Sequence, residues 1–155
     1  MEKNLLVFYS TEGGYSVSAE WGVALEGTLV IPETYNGKPV VKIGDWAFWK
    51  CTGLTSVTIP NGVTTIGDSA FRSCSGLTSI TIPETVTTIG EGAFENSDEL
   101  EQITCYATTP PRIFDSFNED TTLYVPEDAV EAYRKHEKWG EIQNIIGIVP
   151  AKNVK

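Results

Sequence analysis

Two nearly identical stretches occur in this chain, VTTIGDSAFRSC at residues 63–74 and VTTIGEGAFENS at residues 86–97, and their numbering differs by 23. The same step of 23 separates a series of leucines and two sets of residue pairs: Leu54, Leu77, Leu100 and Leu123; Ile43-Gly44, Ile66-Gly67 and Ile89-Gly90; Ala47-Phe48, Ala70-Phe71 and Ala93-Phe94. A repeated unit of this size is one coil of chain that cannot bury its own apolar edge, so it needs a near-copy stacked on each side. The repetition therefore predicts a solenoid.

A period of about 20–29 residues anchored by leucine indicates a leucine-rich repeat fold. We predict a mainly β protein with short helical turns, of the α/β leucine-rich repeat kind. It should form a right-handed solenoid of about four such coils. In one coil, residues 54–59 form a strand that Pro60 ends, and residues 63–66 form a second short strand. Ala70 and Phe71 then bury the inner side of a helical turn.

Equivalent residues of successive coils should lie in columns. One column is expected to be buried and aromatic: Phe48, Phe71, Phe94 and Phe117. A second column is acidic: Asp45, Asp68 and Glu91. We interpret these acids as N-caps of successive helical turns rather than as a cation site, because carboxylates without other oxygen ligands make a poor calcium cage.

The two ends of the chain depart from the repeat and are predicted to be caps. Residues 5–18 read as a β-hairpin over the first coil. Asn36-Gly37 predicts a type I′ turn in a projecting β-arm. Residues 126–140 predict a helix with Pro126 at its first position and Gly140 at its C-cap. Its inner face is Ala129, Val130, Tyr133 and Trp139. The expected divisions of this one structural domain are a cap at 1–28, coils at 29–122, a capping helix with the last strand at 123–149, and a tail at 150–155.

Composition limits the partners of the protein. The formal net charge is −10 at pH 7, and such a protein repels phosphates, so nucleic acid is not an expected partner. No apolar run approaches the roughly 18 residues of a membrane span, and residues 5–9 are too short for the apolar region of a signal peptide. We expect a monomer that does not insert into membranes, and either an intracellular protein or a mature secreted form.

Three cysteines are an odd number for a disulfide framework. Cys51 and Cys74 share a repeat position with Ser97, which favours buried free thiols over a bridge or a metal pair. The one histidine, His136, lies in the predicted helix, and neither a zinc spacing nor a phosphate-binding loop is present. Acidic pairs such as Asp98-Glu99 and Glu119-Asp120 could imitate a glycosidase dyad, but such pairs are inevitable in a chain with 21 acids. We therefore predict no enzyme, no cofactor and no metal.

The coil at residues 54–74, LTSVTIPNGVTTIGDSAFRSC, closely resembles the BspA-type (Treponema-type) leucine-rich repeats of bacterial surface proteins. Their coil reads L-x-x-I-x-I-P-x-x-V-x-x-I-G-x-x-A-F-x-x-C. Two coils match this pattern at every position except Ser97, and the first matches apart from an insertion. The resemblance covers about residues 27–148. It implies a non-enzymatic binding role, often adhesion to host proteins or to other cells, and a secreted or cell-surface location. A cytoplasmic location is the alternative.

Two surfaces are candidates for binding a protein or glycan ligand. The first is the polar face of the predicted sheet, formed by Ser56, Thr58, Ser79, Thr81 and Gln102, which lacks aromatic anchors. The second is an amphipathic patch of Trp46, Trp49, Arg72, Tyr35 and Lys38. Trp46 is expected to be either covered by the N-terminal hairpin or offered to a partner. An adhesion module, an intracellular or periplasmic interaction scaffold and a carbohydrate-binding module all remain open.

Overall fold

The computed structural model describes residues 5–149, in which the chain winds between two six-stranded sheets. Sheet 1 has the order β3-β6-β8-β10-β11-β12, and sheet 2 has the order β1-β2-β5-β7-β9 with β4 paired to β5. The strands are β1 (Leu6–Thr11), β2 (Gly14–Ala19), β3 (Glu26–Val30), β4 (Thr34–Tyr35), β5 (Lys38–Ile43), β6 (Gly53–Thr58), β7 (Thr65–Ile66), β8 (Ser79–Ile82), β9 (Thr88–Ile89), β10 (Gln102–Cys105), β11 (Thr122–Pro126) and β12 (Asn144–Ile148). Every pair in sheet 1 is parallel, including Val57 with Ile80, so the solenoid prediction is confirmed.

The number of coils differs from the prediction, since sheet 1 contains six strands rather than about four. The strands with the regular step are β6, β8 and β10, where Val57, Ile80 and Ile103 pair in register. At one end, Leu29 pairs with Val57, and more than 23 residues of chain separate them. At the other end, Ile103 pairs with Leu123, and fewer than 23 residues separate these two. The end coils therefore stack like the others although their spacing differs from 23, and Leu123, which follows Leu100 by that step, belongs to the column of Ile103 instead.

Two predicted hairpins are confirmed. Strands β1 and β2 pair antiparallel and extend sheet 2 at the N-terminal end. Strands β4 and β5 pair Tyr35 with Lys38, which leaves Asn36 and Gly37 as the turn between them. Both turn residues have positive φ, 51° and 78°, as a type I′ turn requires.

The core lies between the two sheets and contains the predicted phenylalanine column. The Phe48, Phe71 and Phe94 rings stack with centroids 5.2 and 5.6 Å apart and interplanar angles of 9° and 4°. These three rings are buried, whereas Phe117 is only partly buried and tilted by 48° against Phe94. Trp139 stacks on Phe117 at 5.6 Å and continues the column into the C-terminal cap.

The C-terminal helix is shorter than predicted. A 3-10 turn, Glu127–Ala129, leads into α1 (Val130–Lys135), and a second 3-10 turn covers Trp139–Glu141. Pro126 is the cap residue before the first turn rather than the first helical residue. His136 adopts an extended conformation and ends α1, and its Nδ1 accepts hydrogen bonds from the N–H groups of Lys138 and Trp139 at 3.0 and 3.2 Å. Ala129, Tyr133 and Trp139 are buried, so the capping role is confirmed.

The buried cysteines are free thiols, as predicted. The Cys74 thiol donates to the carbonyl of Phe48 at 3.0 Å, and the Ser97 hydroxyl, one coil later, donates to the carbonyl of Phe71 at 2.7 Å. This position therefore selects a small side chain that can donate a hydrogen bond, which both residue types supply.

Helices within residues 5–149 are too short or too polar to cross a lipid bilayer.

Candidate binding surface

Two tryptophans meet on the turn that follows β5. The rings of Trp46 and Trp49 are 5.7 Å apart between centroids and nearly perpendicular, at 83°. The Lys50 ammonium lies 4.7 Å from the centre of the Trp49 ring, and the Arg72 guanidinium of the next coil lies 5.7 Å from the centre of the Trp46 ring. We call these four residues, Trp46, Trp49, Lys50 and Arg72, the tryptophan rim.

Stacking of the coils holds the rim in place. The Trp46 N–H donates to the carbonyl of Asp68 at 2.9 Å, and the Lys50 N–H donates to the carbonyl of Arg72 at 2.9 Å. The Arg72 guanidinium also lies 3.4 Å from a carboxylate oxygen of Glu95, one coil further. Cation–π contacts at exposed sites contribute about 0.5–1 kcal/mol each, so these contacts orient the rings more than they stabilise the fold.

Trp46 occupies a backbone conformation that a bulky residue rarely adopts. Its φ is 59°, and the equivalent residues of the next two coils, Ser69 and Gly92, have φ of 55° and 70°. The left-handed region costs an ordinary L-residue about 1–2 kcal/mol, and only glycine enters it freely. The Trp46 side chain is 50% exposed, so little burial compensates this cost. The N-terminal hairpin bonds to the backbone at Ala47, and half of the surface of Trp46 remains exposed, so the hairpin does not bury this residue.

The structure brings together only part of the predicted patch. Trp46, Trp49 and Arg72 are neighbours, but Tyr35 and Lys38 lie at the opposite end of β5, about 20 Å of extended chain away. Tyr35 stacks on Phe8 at 4.1 Å and meets Tyr15 edge-on at 5.0 Å. It therefore attaches the projecting arm to the N-terminal hairpin, while Lys38 stays exposed.

The predicted polar face of sheet 1 also exists. Ser56, Ser79 and Gln102 pair in register along one row, and Thr58, Thr81 and Thr104 along the next. All but the exposed Gln102 are half-buried, and Ser79 donates to the Ser56 hydroxyl at 3.1 Å. This face is flat and carries neither a charge nor an aromatic ring over these three strands, so the rim offers stronger anchors.

Sequence reasoning missed Trp21, the most exposed large apolar side chain of the described residues, at 86%. It follows Ala19, whose N–H donates to the carbonyl of Ala47 at 2.9 Å, next to Trp46 in the chain. Trp21 therefore lies in the turn between β2 and β3, two residues after the strand that bonds to the Trp46 turn. A tryptophan next to a glycine between two strands, with no equivalent in the repeat, was the available signal.

The structure also contains an acidic cleft that the sequence did not predict, although the acidic pairs Asp98-Glu99 and Glu119-Asp120 are visible in the sequence. The loops before β10 and β11 enclose a volume of about 420 Å³ lined by Asp98, Glu99, Leu100, Glu101, Gln102, Asn118, Asp120, Thr122 and Tyr124. The spacing of Asp98 and Asp120 in the chain is close to the repeat, and it would have placed them in adjacent coils. In the part of the chain from 5 to 149, no three His, Cys, Asp or Glu side chains are arranged to hold a metal ion.

Comparisons with known proteins agree with the fold. A family model described as a BspA type leucine rich repeat region matches residues 29–129 with six copies. No curated protein matches the chain.

Three solved structures are similar. A leucine-rich repeat protein from Bacteroides capillosus has 25% identity and a TM-score of 0.66 over 81% of this chain and 96% of its own. One from Bacteroides ovatus has 24% identity and a TM-score of 0.57 over 94% of this chain. A leucine-rich repeat protein from T. pallidum has 18% identity and a TM-score of 0.54 over 94% of this chain and 80% of its own. The present chain spans 40% of the length of the B. ovatus protein.

Proposed function

This chain belongs to the BspA-type leucine-rich repeat family, and on that premise we propose that it is a non-enzymatic adhesion module, secreted or displayed on a bacterial surface, that binds ligands on host or other cells through the tryptophan rim. The observation that carries the proposal is Trp46 at a φ of 59° with its ring half-exposed. The left-handed φ belongs to the repeated turn, since Ser69 and Gly92 share it, but the fold does not explain a large, half-exposed ring at a position where the next two coils carry small residues.

The composition of the rim supports a binding role. Binding hot spots are enriched in tryptophan and arginine, and they lie where rings can be fully covered by a partner. Trp49 and Arg72 provide both residue types on adjacent coils, and the salt bridge to Glu95 restrains Arg72 before any partner arrives. Restraint of this kind lowers the conformational entropy lost on binding.

Binding of the fluorescently labelled protein to intact epithelial and bacterial cells, followed by flow cytometry, tests the proposal. We expect saturable binding that the double variant Trp49→Ala/Arg72→Ala abolishes while its melting temperature falls by no more than a few degrees. The matched control is Thr58→Ala/Thr81→Ala on the face of sheet 1, which should bind like the parent. Normal binding by the rim variant together with lost binding by the sheet variant would assign recognition to sheet 1 instead.

A further inference from the structure

We infer that the ligand of the tryptophan rim is an uncharged glycan. This inference rests on the proposed function and names the ligand class of the same site. Three features carry it: the exposed rings, the mixture of donors and acceptors beside them, and the charge of the whole protein.

The rim presents two indole rings from one coil at nearly a right angle. Trp46 is 50% exposed, and Trp49 is half-buried at a centroid distance of 5.7 Å from it. An indole presents a wide apolar face with one polar edge, so it can cover the C–H face of a sugar ring while leaving the hydroxyls at the rim of the contact.

Positively charged hydrogen-bond donors and negatively charged acceptors both lie beside the two tryptophan rings. Lys50 and Arg72 offer N–H donors at the ring faces, while Asp45 precedes Trp46 and Glu95 lies against Arg72. The Asp45 carboxylate uses Oδ1 for the N–H of Asp68 at 2.9 Å, and the residue is exposed to solvent. A hydroxyl both donates and accepts a hydrogen bond, so a polyol can satisfy cations and carboxylates together.

A charged ligand would fit this surface less well. An anionic sugar would approach a protein of net charge −10 and would lie beside Asp45 and Glu95, while a cationic segment would face Lys50 and Arg72. An uncharged glycan meets no like charge. Its binding should therefore change little when the ionic strength is raised about tenfold, because no net charge is screened.

A glycan array probed with the full chain tests the inference, with Trp46→Gly as the main variant. Glycine is the residue of the equivalent position 92, where φ is 70°, so the variant removes the ring without straining the backbone. The matched control is Ser69→Gly, which makes the same backbone change one coil away at a φ of 55°. We expect binding to neutral glycans that Trp46→Gly weakens at least tenfold and that Ser69→Gly leaves unchanged.

Treatment of the target cells separates failure of this inference from failure of the proposed function. Loss of rim-dependent cell binding after glycosidase treatment supports the glycan. Rim-dependent binding that resists glycosidases and disappears with protease assigns a protein partner and overturns the glycan while the adhesion function stands. Array binding confined to sialylated or sulfated glycans, or no array binding at all, also overturns the inference. Cell binding that no rim variant weakens overturns both proposals.

Discussion

Asp68 accepts a hydrogen bond on Oδ1 from the backbone N–H of Glu91, one coil later, at 2.9 Å. Asp45 does the same for the N–H of Asp68 at the same distance. The prediction that the acids of this column cap their own turns is therefore wrong for Asp45 and Asp68, because each of these two carboxylates joins its coil to the next one. The bond also accounts for Gly67 and Gly90, since a Cβ on Gly90 would collide with this Oδ1 and would lie 2.6 Å from the backbone nitrogen of Asp68, and a Cβ on Gly67 would meet Asp45 in the same way.

Replacing Asp68 should weaken the contact between two coils. Asp68→Ala leaves the Glu91 N–H without its side-chain acceptor, and losses of this type cost about 1 kcal/mol. We expect the melting temperature to fall by about 2–4 °C for a chain of this size. Asp68→Asn is the control, because its amide oxygen still accepts the bond, and it should melt close to the parent. An equal fall for both variants would contradict a role for the hydrogen bond.

Phe71 should be the most costly position of the aromatic column to truncate. Its ring lies between those of Phe48 and Phe94 and is fully buried. Phe71→Ala removes contacts on both sides, and we expect a loss of about 3–5 kcal/mol in a denaturant titration. Phe117→Ala, at the partly buried end of the column, should cost clearly less. Melting of Phe71→Ala within a degree or two of the parent would show that the column does not support the fold.

A second column of left-handed residues offers a stabilising change. Lys50, Ser73 and Asn96 have φ of 59°, 60° and 63°. Ser73→Gly relieves the steric cost of that conformation, so we expect the free energy of unfolding to rise by about 0.5–1 kcal/mol. Ser75→Gly is the control, because Ser75 does not have a positive φ. This change adds flexibility without relieving strain, so it should lower the free energy of unfolding. The comparison is made by urea titration of both variants, and the reverse order of stability would refute the explanation.

The buried thiols predict a loss of stability at high pH. Burial raises the pKa of Cys51 from its ordinary value of 9.0 to about 11 and that of Cys74 to about 12. A raised folded-state pKa contributes stability that is complete below the unfolded value and disappears as the pH rises through the folded value. The melting temperature should therefore fall between about pH 9 and pH 12.

The double variant Cys51→Ser/Cys74→Ser is the control for this pH effect. Serine already fills the position at Ser97 with the same hydrogen bond, so the fold should tolerate the change. The fall with pH should become smaller but not vanish, because burial also raises the pKa of Cys105 and of Tyr133. An identical fall in parent and variant would exclude the two thiols as its cause.

The central coils were predictable because each one binds a near-copy of itself. Leu77, Ile80 and Phe71 must recur at one constant step for equivalent side chains to meet in parallel strands, so spacing alone identified the fold and most of the core. The turn at Asn36-Gly37 was equally accessible, since few residues other than these accept two successive positive φ angles.

Contacts between unlike parts of the chain were decided only by the tertiary structure. The coils at both ends keep their place in sheet 1 although one step is longer and the other shorter than the repeat, because parallel pairing tolerates loops of different length outside the sheet. The exposure of Trp46 depends on the path of the N-terminal hairpin, and the separation of Tyr35 from Trp49 depends on the length of β5. The repeat by itself determined which residues of the central coils form columns. Only the folded ends determined which columns remain open to a partner, because the ends have no neighbouring copy to dictate their position.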